Sequence, residues 1–548
     1  MTGQKSSFIY PRLCIAYFLE FAIWGCWSGA LAHYAYSALG MSGGQIGLLY
    51  AAMPIGAIIS PLFIGPLADR YFAAQKVVAA LHLLGAICLF LAGLLCLTGQ
   101  ATFPLLMALM LLQGACYAPT IGLVNTIVFK HMPSPTMGPY VFIFGSLGWI
   151  CVNLIIAAFL GGADKPYFLF VSGICSVLLA LYVGTLPDTP PKGAPAPGEK
   201  SDTLGLGALT MLRDPAFLVF VILAFLVSIP ACNYFFPAQI TFMTERGYPS
   251  PVGLSTLNQF ADILLMAALP FLIRRIGLKG VLLIGMSAWG IRYLFFAQPS
   301  FALTIIGLCL HGFCYSHLYV ASYMYAELKA PQHLKASAQG LMIFLMIGVG
   351  QVLGSLSYGT ILERNPPMMT AMTSYVVPNV DEAKRELVTL LGSYECSECK
   401  HDLTQGPAKP LPPWNDAKME NSSWRYLDLA RTAAEWTGGK GAEESQHTLG
   451  TDVAKTRDNV ITQADLEAMP DTLTYGDVTY TREELQAAFA EVRNLLGKSP
   501  GADITRDEWL SVQAHNWYNI WMTPVIWVAL CFAGFLFLGQ NPKNEKQE

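Results

Sequence analysis

Long apolar runs separated by short polar turns fill the first two thirds of the chain and return near its end. Six runs precede a proline-rich segment and six follow it, and each approaches or exceeds the roughly 20 residues that cross about 30 Å of hydrocarbon. They cover residues 10–33, 45–67, 76–98, 103–127, 140–161, 166–186, 216–242, 252–273, 279–297, 300–325, 337–362 and 518–539. The pattern predicts an all-α membrane protein with twelve transmembrane helices in two six-helix bundles.

The segment that separates the two sets of runs is rich in proline and glycine, which favour turns over a continuing helix. A second polar stretch interrupts the runs before the last one. The sequence therefore divides into five parts. They are an N-terminal bundle at 1–186, a cytoplasmic linker at 187–215, helices 7 to 11 at 216–362, an insert domain at 363–517, and helix 12 with a cytoplasmic tail at 518–548.

The insert carries 25 acidic and 15 basic residues, so it is expected to be solvated. Residues 483–492 have the pattern of an amphipathic helix, and residues 503–509 resemble the end of an EF-hand loop. Gly497, Ser499 and Gly501 occupy the positions of the first loop ligands but offer no carboxylate. We therefore expect a packed helical cap without calcium. Cys396 and Cys399 are compatible with a disulfide or with part of a zinc site.

The positions of Lys and Arg orient the predicted spans. With both termini on one side, that side collects fifteen basic residues, whereas the opposite short loops hold only Lys165 and Arg246. The positive-inside rule places the basic side, and hence both termini, in the cytoplasm. The insert then lies outside the cell membrane. The net charge of −4 gives no indication of a nucleic-acid partner, and membrane lipid is the expected surrounding.

Two carboxylates lie in the middle of apolar runs. Outside 363–517 the chain has only twelve Asp or Glu, and Glu20 and Asp262 are two of them. An acid in the bilayer core must be paired, hydrated or protonated, which suits a proton carrier. Gln259 lies three residues before Asp262, on the same helical face, and the pair offers a donor and acceptors to a polar solute. Arg292 is a candidate partner for Glu20.

A short basic turn occurs at matching points of the two halves. Residues 65–70 (GPLADR) follow the second run, and residues 274–279 (RRIGLK) follow the eighth. Such internal symmetry is typical of transporters whose two bundles rock about a central site. The first turn resembles the signature loop of the major facilitator superfamily. This resemblance implies that Asp69 and Arg70 act at a cytoplasmic gate and do not contact substrate.

Three further segments resemble the nucleoside:proton symporter family, the nucleoside permeases. They are residues 18–27 (FLEFAIWGCW), 117–126 (YAPTIGLVNT) and 336–340 (ASAQG). The similarity covers about 10–362 and resumes at Asn516. It implies proton-driven nucleoside uptake across the inner membrane by alternating access, with a nucleoside and a proton as partners, no cofactor, and a monomeric carrier that is not an enzyme.

The resemblance also implies which residues bind substrate. They are Gln259, Asp262, Asn233, Ser146, Trp149, Tyr315 and His311. Asp262 is also a candidate for proton coupling, and Glu20 is a second one on the ground of its costly position in an apolar run. Departures from the family pattern are equally informative. Phe142 replaces an arginine, Pro230 replaces a glutamine, and Glu20 replaces an uncharged amide. Selectivity for one nucleobase is therefore not inherited from the family.

Two other functions are compatible with the sequence. The same fold carries sugars and other polar solutes, and the lost arginine contact at Phe142 favours such a substrate. Alternatively, the insert binds an extracellular ligand and the bundles transmit the signal. An enzyme is not expected, because the sequence has no nucleophile and base motif, phosphate-binding loop or complete metal site.

Overall fold

A computed structural model describes most of the apolar runs and parts of the insert. The described residues are 9–60, 63–64, 71–132, 138–191, 206–331, 334–369, 376–377, 420–421, 460–468, 472–475 and 478–539. Asp69, Arg70, Cys396 and Cys399 lie outside them.

The first half of the chain is helical throughout its described part. Its helices are α1 (Ile9–Ser28), α2 (Ala30–Ser37), α3 (Gly43–Ile59), α4 (Ala74–Leu97), α5 (Phe103–His131), α6 (Gly138–Phe159) and α7 (Tyr167–Val183). Ser42 caps α3. Its side-chain oxygen accepts from the backbone N–H of Gln45, and the Gln45 side-chain oxygen accepts from the backbone N–H of Ser42. The apolar segments of this half thus form helices close to the predicted runs.

The second half repeats this pattern with more breaks. Its helices are α8 (Pro215–Ser228), α9 (Cys232–Glu245), α10 (Pro251–Ser255), α11 (Leu257–Ala297), α12 (Phe301–Cys309), α13 (His311–Tyr315), α14 (Ala321–Lys329), α15 (Lys335–Ile343), α16 (Gly350–Glu363) and, after the insert, α20 (Trp517–Leu538). Helix α11 contains a kink at Gly277, whose φ of 73° is left-handed and suits glycine. The kink falls within the predicted basic turn. Single π-helical turns at Ser316–Val320 and Phe344–Val349 interrupt two other helical segments.

Eight described helical segments are long and apolar enough to cross a membrane, or nine if one bent pair is counted as a span. They support a multi-pass membrane protein. The other four predicted spans correspond to shorter or interrupted helices. Helices α3 and α7 have 17 residues each, the seventh run is split between α8 and α9, and the eighth forms α10 with the start of α11.

Helices of the two halves pack against one another. Within the first half, α1 packs against α6 and α7, and α3 packs against α5. Within the second, α11 packs against α20 and α13. Between the halves, α6 contacts α11, and α3 lies along α16. At the end of this last contact, the backbone N–H of Gly44 donates to Glu363 Oε1 at 2.8 Å.

A second compact unit comprises 242–251 and 365–516, within its described residues. It contains the strands β1 (Val376–Val377), β2 (Glu420–Asn421), β3 (Val460–Ile461), β4 (Thr472–Tyr475), β5 (Val478–Thr481) and β6 (Ile504–Thr505). Its helices are α17 (Gln463–Ala468), α18 (Arg482–Leu495) and α19 (Arg506–Gln513). Strand β3 pairs antiparallel with β6. The segment 242–251 was assigned to the second bundle from sequence, but His515 Nδ1 lies 2.8 Å from Glu245 Oε1 within this unit.

The apolar core of this unit explains why the predicted helix forms. Leu485, Phe489 and Val492 lie one turn apart on α18 and are fully buried. The Phe489 ring stacks on Trp509 at 4.7 Å between centroids. Thr481 and Glu484 form a capping box at the start of α18. The helix predicted at 483–492 is therefore present and packed.

Lys498 supplies a positive charge where the sequence resembles a cation-binding loop. Its Nζ donates to Glu508 Oε2 at 2.6 Å and to the backbone oxygen of Asp503 at 2.8 Å. Glu508 also accepts from the backbone N–H of Thr505 at 2.9 Å. The carboxylate that would close a calcium loop is thus paired with an ammonium group of the same chain.

Acid should destabilise this unit through Glu508. Partial burial opposes the charged form, but the hydrogen bonds from Lys498 and Thr505 outweigh it and lower the pKa of Glu508. The ionised group therefore stabilises the unit above the unfolded-state pKa, near about 4.3. This contribution is lost as the pH falls through the lower, folded-state pKa. The hydrogen-exchange protection factors of α18 and α19 should fall more steeply on acidification than in Lys498→Met, and equal slopes would contradict this assignment.

Candidate functional site

Asp262 is the buried carboxylate at the contact between the halves. It lies in the first part of α11 with 5% of its surface exposed, and Gln259 lies one turn earlier with 7% exposed. The Ser146 hydroxyl of α6 is a hydrogen-bonding neighbour of the Asp262 carboxylate. Among the described residues, Asp262 Oδ1 has no hydrogen-bond partner. An unpaired buried oxygen is costly, so this atom is available for a proton or a hydroxyl donor.

Three aromatic rings from different helices meet in an aromatic triangle. Trp24 of α1 and Trp149 of α6 have ring centroids 5.5 Å apart. Phe236 of α9, in the other half, lies 5.5 Å from Trp149 and 6.1 Å from Trp24. Trp149 was predicted from sequence, whereas Trp24 and Phe236 were missed. Trp24 follows Glu20 by four residues, on the same helical face, which was the available signal.

Tyr315 links the buried acid to the first bundle. It lies near Asp262 and near Tyr17 of α1, and its ring stacks on Tyr319 at 5.6 Å between centroids. Tyr17 in turn lies 5.1 Å from the ring of Phe142, where the sequence lacks the family arginine. Aromatic rings thus lie where the family resemblance implies a polar contact from an arginine.

His311 belongs to a network around Arg292. Arg292 Nη1 lies 2.7 Å from His311 Nδ1, and Nη2 donates to Asn258 Oδ1 at 2.7 Å. The guanidinium carbon lies 3.5 Å from the Phe235 ring centroid. The Asn258 side chain continues the network to Gln239 at 2.9 Å. Because Nδ1 accepts from a permanent cation, only the other edge of the His311 ring is available to a ligand.

Glu20 has a different partner from the one expected. His82 Nε2 of α4, not Arg292, lies 3.0 Å from Glu20 Oε2. Thr120 Oγ1 of α5 lies 2.8 Å from Glu20 Oε1 and 2.6 Å from the backbone oxygen of Tyr117. The pairing with Arg292 is therefore wrong, because Arg292 is engaged by His311 and Asn258. His82 was missed, since nothing in the sequence around it indicates a carboxylate neighbour 62 positions away.

Some predicted site residues cannot be placed with these groups. Asn233 lies in α9, but its side chain is outside the described part of the structure. Asp69 and Arg70 also lie outside the described residues. The structure therefore brings together Gln259, Asp262 and Ser146, places Trp149 in the aromatic triangle and Tyr315 beside Asp262, and leaves the gate residues undescribed.

Known proteins resemble this chain over the helical region. The model of the family described as nucleoside H⁺ symporter matches residues 8–374. The putative nucleoside transporter YegT of Escherichia coli is 38% identical over 366 residues, which cover 64% of this chain and 84% of that protein. The nucleoside permease NupG of the same organism is 27% identical over 373 residues, covering 64% and 87%.

A solved structure gives the same result. The crystal structure of a variant of the nucleoside transporter NupG superposes with a TM-score of 0.60 at 26% identity, covering 65% of this chain and 92% of that one. The fold is that of the major facilitator transporters, as the sequence predicted. The chain therefore belongs to the nucleoside H⁺ symporter family and is a multi-pass carrier of the inner membrane that couples nucleoside uptake to protons, not an enzyme.

Proposed function

We propose that Asp262 couples the proton to the nucleoside at a site between the two bundles. The observation that carries this proposal is the buried Oδ1, which lies where α11 meets α6 and has no hydrogen-bond partner in the part of the chain that the structure describes. A protonated Asp262 is neutral and lets the bundles rock with the site closed to water. An ionised Asp262 would impose a desolvation cost on that movement. Proton binding thus selects the transport-competent state.

We infer that the nucleobase stacks in the aromatic triangle while polar groups hold the sugar. Trp149 and Trp24 offer faces to a planar base, and such stacking is worth about 1–3 kcal/mol. Gln259 supplies a donor and an acceptor, and Asp262 accepts hydroxyl donors such as those of ribose. We place Ser146, Tyr315, His311 and Asn233 in the same substrate site.

We propose twelve spans, with both termini in the cytoplasm and the insert outside. The four shorter or broken helices complete the eight long ones, and the distribution of basic residues supports the orientation. The contact from Gly44 to Glu363 then lies at the outer end of the bundles. It must open before substrate enters from outside.

Uptake in proteoliposomes tests this function. Labelled uridine and adenosine are supplied to purified protein with and without an inward proton gradient, and protein-free liposomes serve as the control. Accumulation that needs the gradient is expected. No uptake of either nucleoside would contradict nucleoside transport, and accumulation independent of the gradient would contradict proton coupling.

Trp149→Ala should weaken nucleoside binding without removing the proton site. Loss of about 1–3 kcal/mol of stacking corresponds to a rise of roughly 5- to 150-fold in the KM for uridine. Trp527→Ala is the matched control, because Trp527 is 42% exposed and lies in α20, outside the aromatic triangle. Initial uptake rates over a range of uridine concentrations measure both variants. Equal KM values would remove Trp149 from the site.

A further inference from the structure

The first bundle contains a polar cluster that substrate binding does not use, here called the Glu20 cluster. It comprises Glu20, His82, Tyr117, Thr120 and Ser176, from α1, α4, α5 and α7. Glu20 is fully buried and His82 is 2% exposed. Besides the contacts of the carboxylate described above, the Tyr117 hydroxyl donates to the backbone oxygen of Glu20 at 2.7 Å. A rigid frame thus fixes the acid against the imidazole.

Hydrogen-bond roles determine where the protons of this cluster lie. The Ser176 hydroxyl donates its single hydrogen to the backbone oxygen of His82 at 2.9 Å. His82 Nδ1 lies 3.1 Å from the same hydroxyl oxygen, and with the serine hydrogen on that carbonyl Nδ1 is the donor of this contact. The other ring nitrogen, Nε2, is left facing Glu20 Oε2 at 3.0 Å. One hydrogen must lie between these two atoms.

That hydrogen makes the pair neutral in either arrangement. It lies on Nε2, giving an imidazolium beside a carboxylate, or on Oε2, giving a neutral acid beside a neutral imidazole. Without it, a carboxylate faces a ring nitrogen lone pair, and a net negative charge remains in a site closed to water. A neutral buried pair therefore has one hydrogen between His82 Nε2 and Glu20 Oε2.

The described groups around the pair do not supply a positive charge that would neutralise the carboxylate in place of that hydrogen. The titratable side chains that face it from the described helices are Tyr17 on α1 itself and Tyr117 on α5, and Cys26 of α1 lies next to Tyr117. None of them is a cation, and within the described part of the chain no lysine or arginine forms an ion pair with Glu20. Tyr117 also neighbours Trp24, at 6.5 Å between ring centroids. The cluster is thus in contact with the aromatic triangle.

We propose that Glu20 and His82 form a second proton-binding site, located in the first bundle, so that two protons accompany each nucleoside. The inference rests on the proposed coupling through Asp262 and adds one proton to it. When Trp24 rearranges around the bound base, it shifts Tyr117, and Tyr117 in turn shifts Glu20. Proton loading in one bundle and at Asp262 in the other is then linked to the same closure.

The accumulation ratio of uridine measures the number of coupled protons. At a pH difference of one unit and zero membrane potential, each coupled proton supports about tenfold accumulation. The unaltered protein should reach about 100-fold. Glu20→Gln and His82→Gln should each reach about 10-fold, while uridine counterflow, which needs no net proton movement, should fall much less.

A second histidine and carboxylate pair in the same half provides the matched control. His33 Nε2 lies 3.2 Å from Asp164 Oδ1, and Asp164 is 24% exposed at the surface. His33→Gln should keep the 100-fold ratio. If Glu20→Gln also keeps it, or if counterflow and accumulation fall in parallel in both cluster variants, the inference is wrong.

The unaltered protein gives an answer even if the variants do not fold. A ratio of about 100 supports two protons, and a ratio of about 10 overturns the second site. Absence of any accumulation in the unaltered protein would instead contradict the coupling proposed for the whole carrier. Failure of this inference is therefore distinguishable from failure of the proposed function.

Discussion

Asp262→Asn should lower uridine accumulation about tenfold at a pH difference of one unit. The amide keeps an oxygen for hydroxyl donors but does not exchange a proton, so one coupled proton and about 1.4 kcal/mol of driving force are lost. Asp262→Glu should restore coupling, because it retains an ionisable acid on the same helical face. The measurement is the steady-state ratio of labelled uridine across proteoliposome membranes.

The double variant Asp262→Asn, Glu20→Gln should not accumulate uridine at all. Each single variant leaves one proton site, and removing both leaves a carrier that only equilibrates its substrate. The ratio should fall to about one while equilibrating entry continues. Accumulation by Asp262→Asn that matches the unaltered protein would remove this carboxylate from coupling.

Gly114→Leu should prevent the first bundle from assembling. A Cβ at Gly114 in α5 would lie 2.7 Å from the Cα of Met53 in α3, and a Cβ at Gly56 would lie 2.5 Å from the carbonyl carbon of Gly114. These neighbours are backbone atoms, which cannot move aside as a flexible side chain does. Overpacking of this kind costs about 1–3 kcal/mol or more. The yield of monodisperse protein in detergent should collapse.

Gly122→Ala tests the same helix without the contact. A Cβ at Gly122 meets no atom within 4 Å, so alanine should leave stability unchanged or raise it by up to about 1 kcal/mol through helix propensity. Thermal unfolding of the two variants in one detergent gives the comparison. If both variants lose similar thermal stability, helix propensity and not the close approach of backbones at Gly114 determines the stability of this bundle.

Local patterns predicted the helices and one pair of site residues well. A bilayer requires long apolar segments with every backbone group hydrogen-bonded within the helix. Each long apolar run is therefore predicted to be a helix from its own sequence. Gln259 and Asp262 share a face because helical geometry alone brings residues three apart together. The amphipathic helix in the insert was recognisable for the same reason. Span ends were less certain, as the break between α8 and α9 illustrates.

Contacts between helices were predicted less well. Arg292 is the candidate partner of Glu20 that the sequence offers, since both are charges within apolar runs, but His82 of α4 lies 3.0 Å from the acid. Trp24 and Phe236 were overlooked, because an aromatic residue in a span is usually only a packing residue. The contact of Trp24 and Phe236 with Trp149 depends on how α1, α6 and α9, from both halves, pack together.

The sequence by itself determined that this chain is a helical membrane carrier, and its motifs determined the family. These properties follow from hydrophobic length and from short segments that keep their order along the chain. Only the tertiary structure decided which buried polar groups are partners, that Asp262 Oδ1 has no hydrogen-bond partner among the described residues, and that His82 Nε2 faces Glu20 Oε2. Such pairings depend on how distant helices pack, and no periodicity along a single helix encodes them.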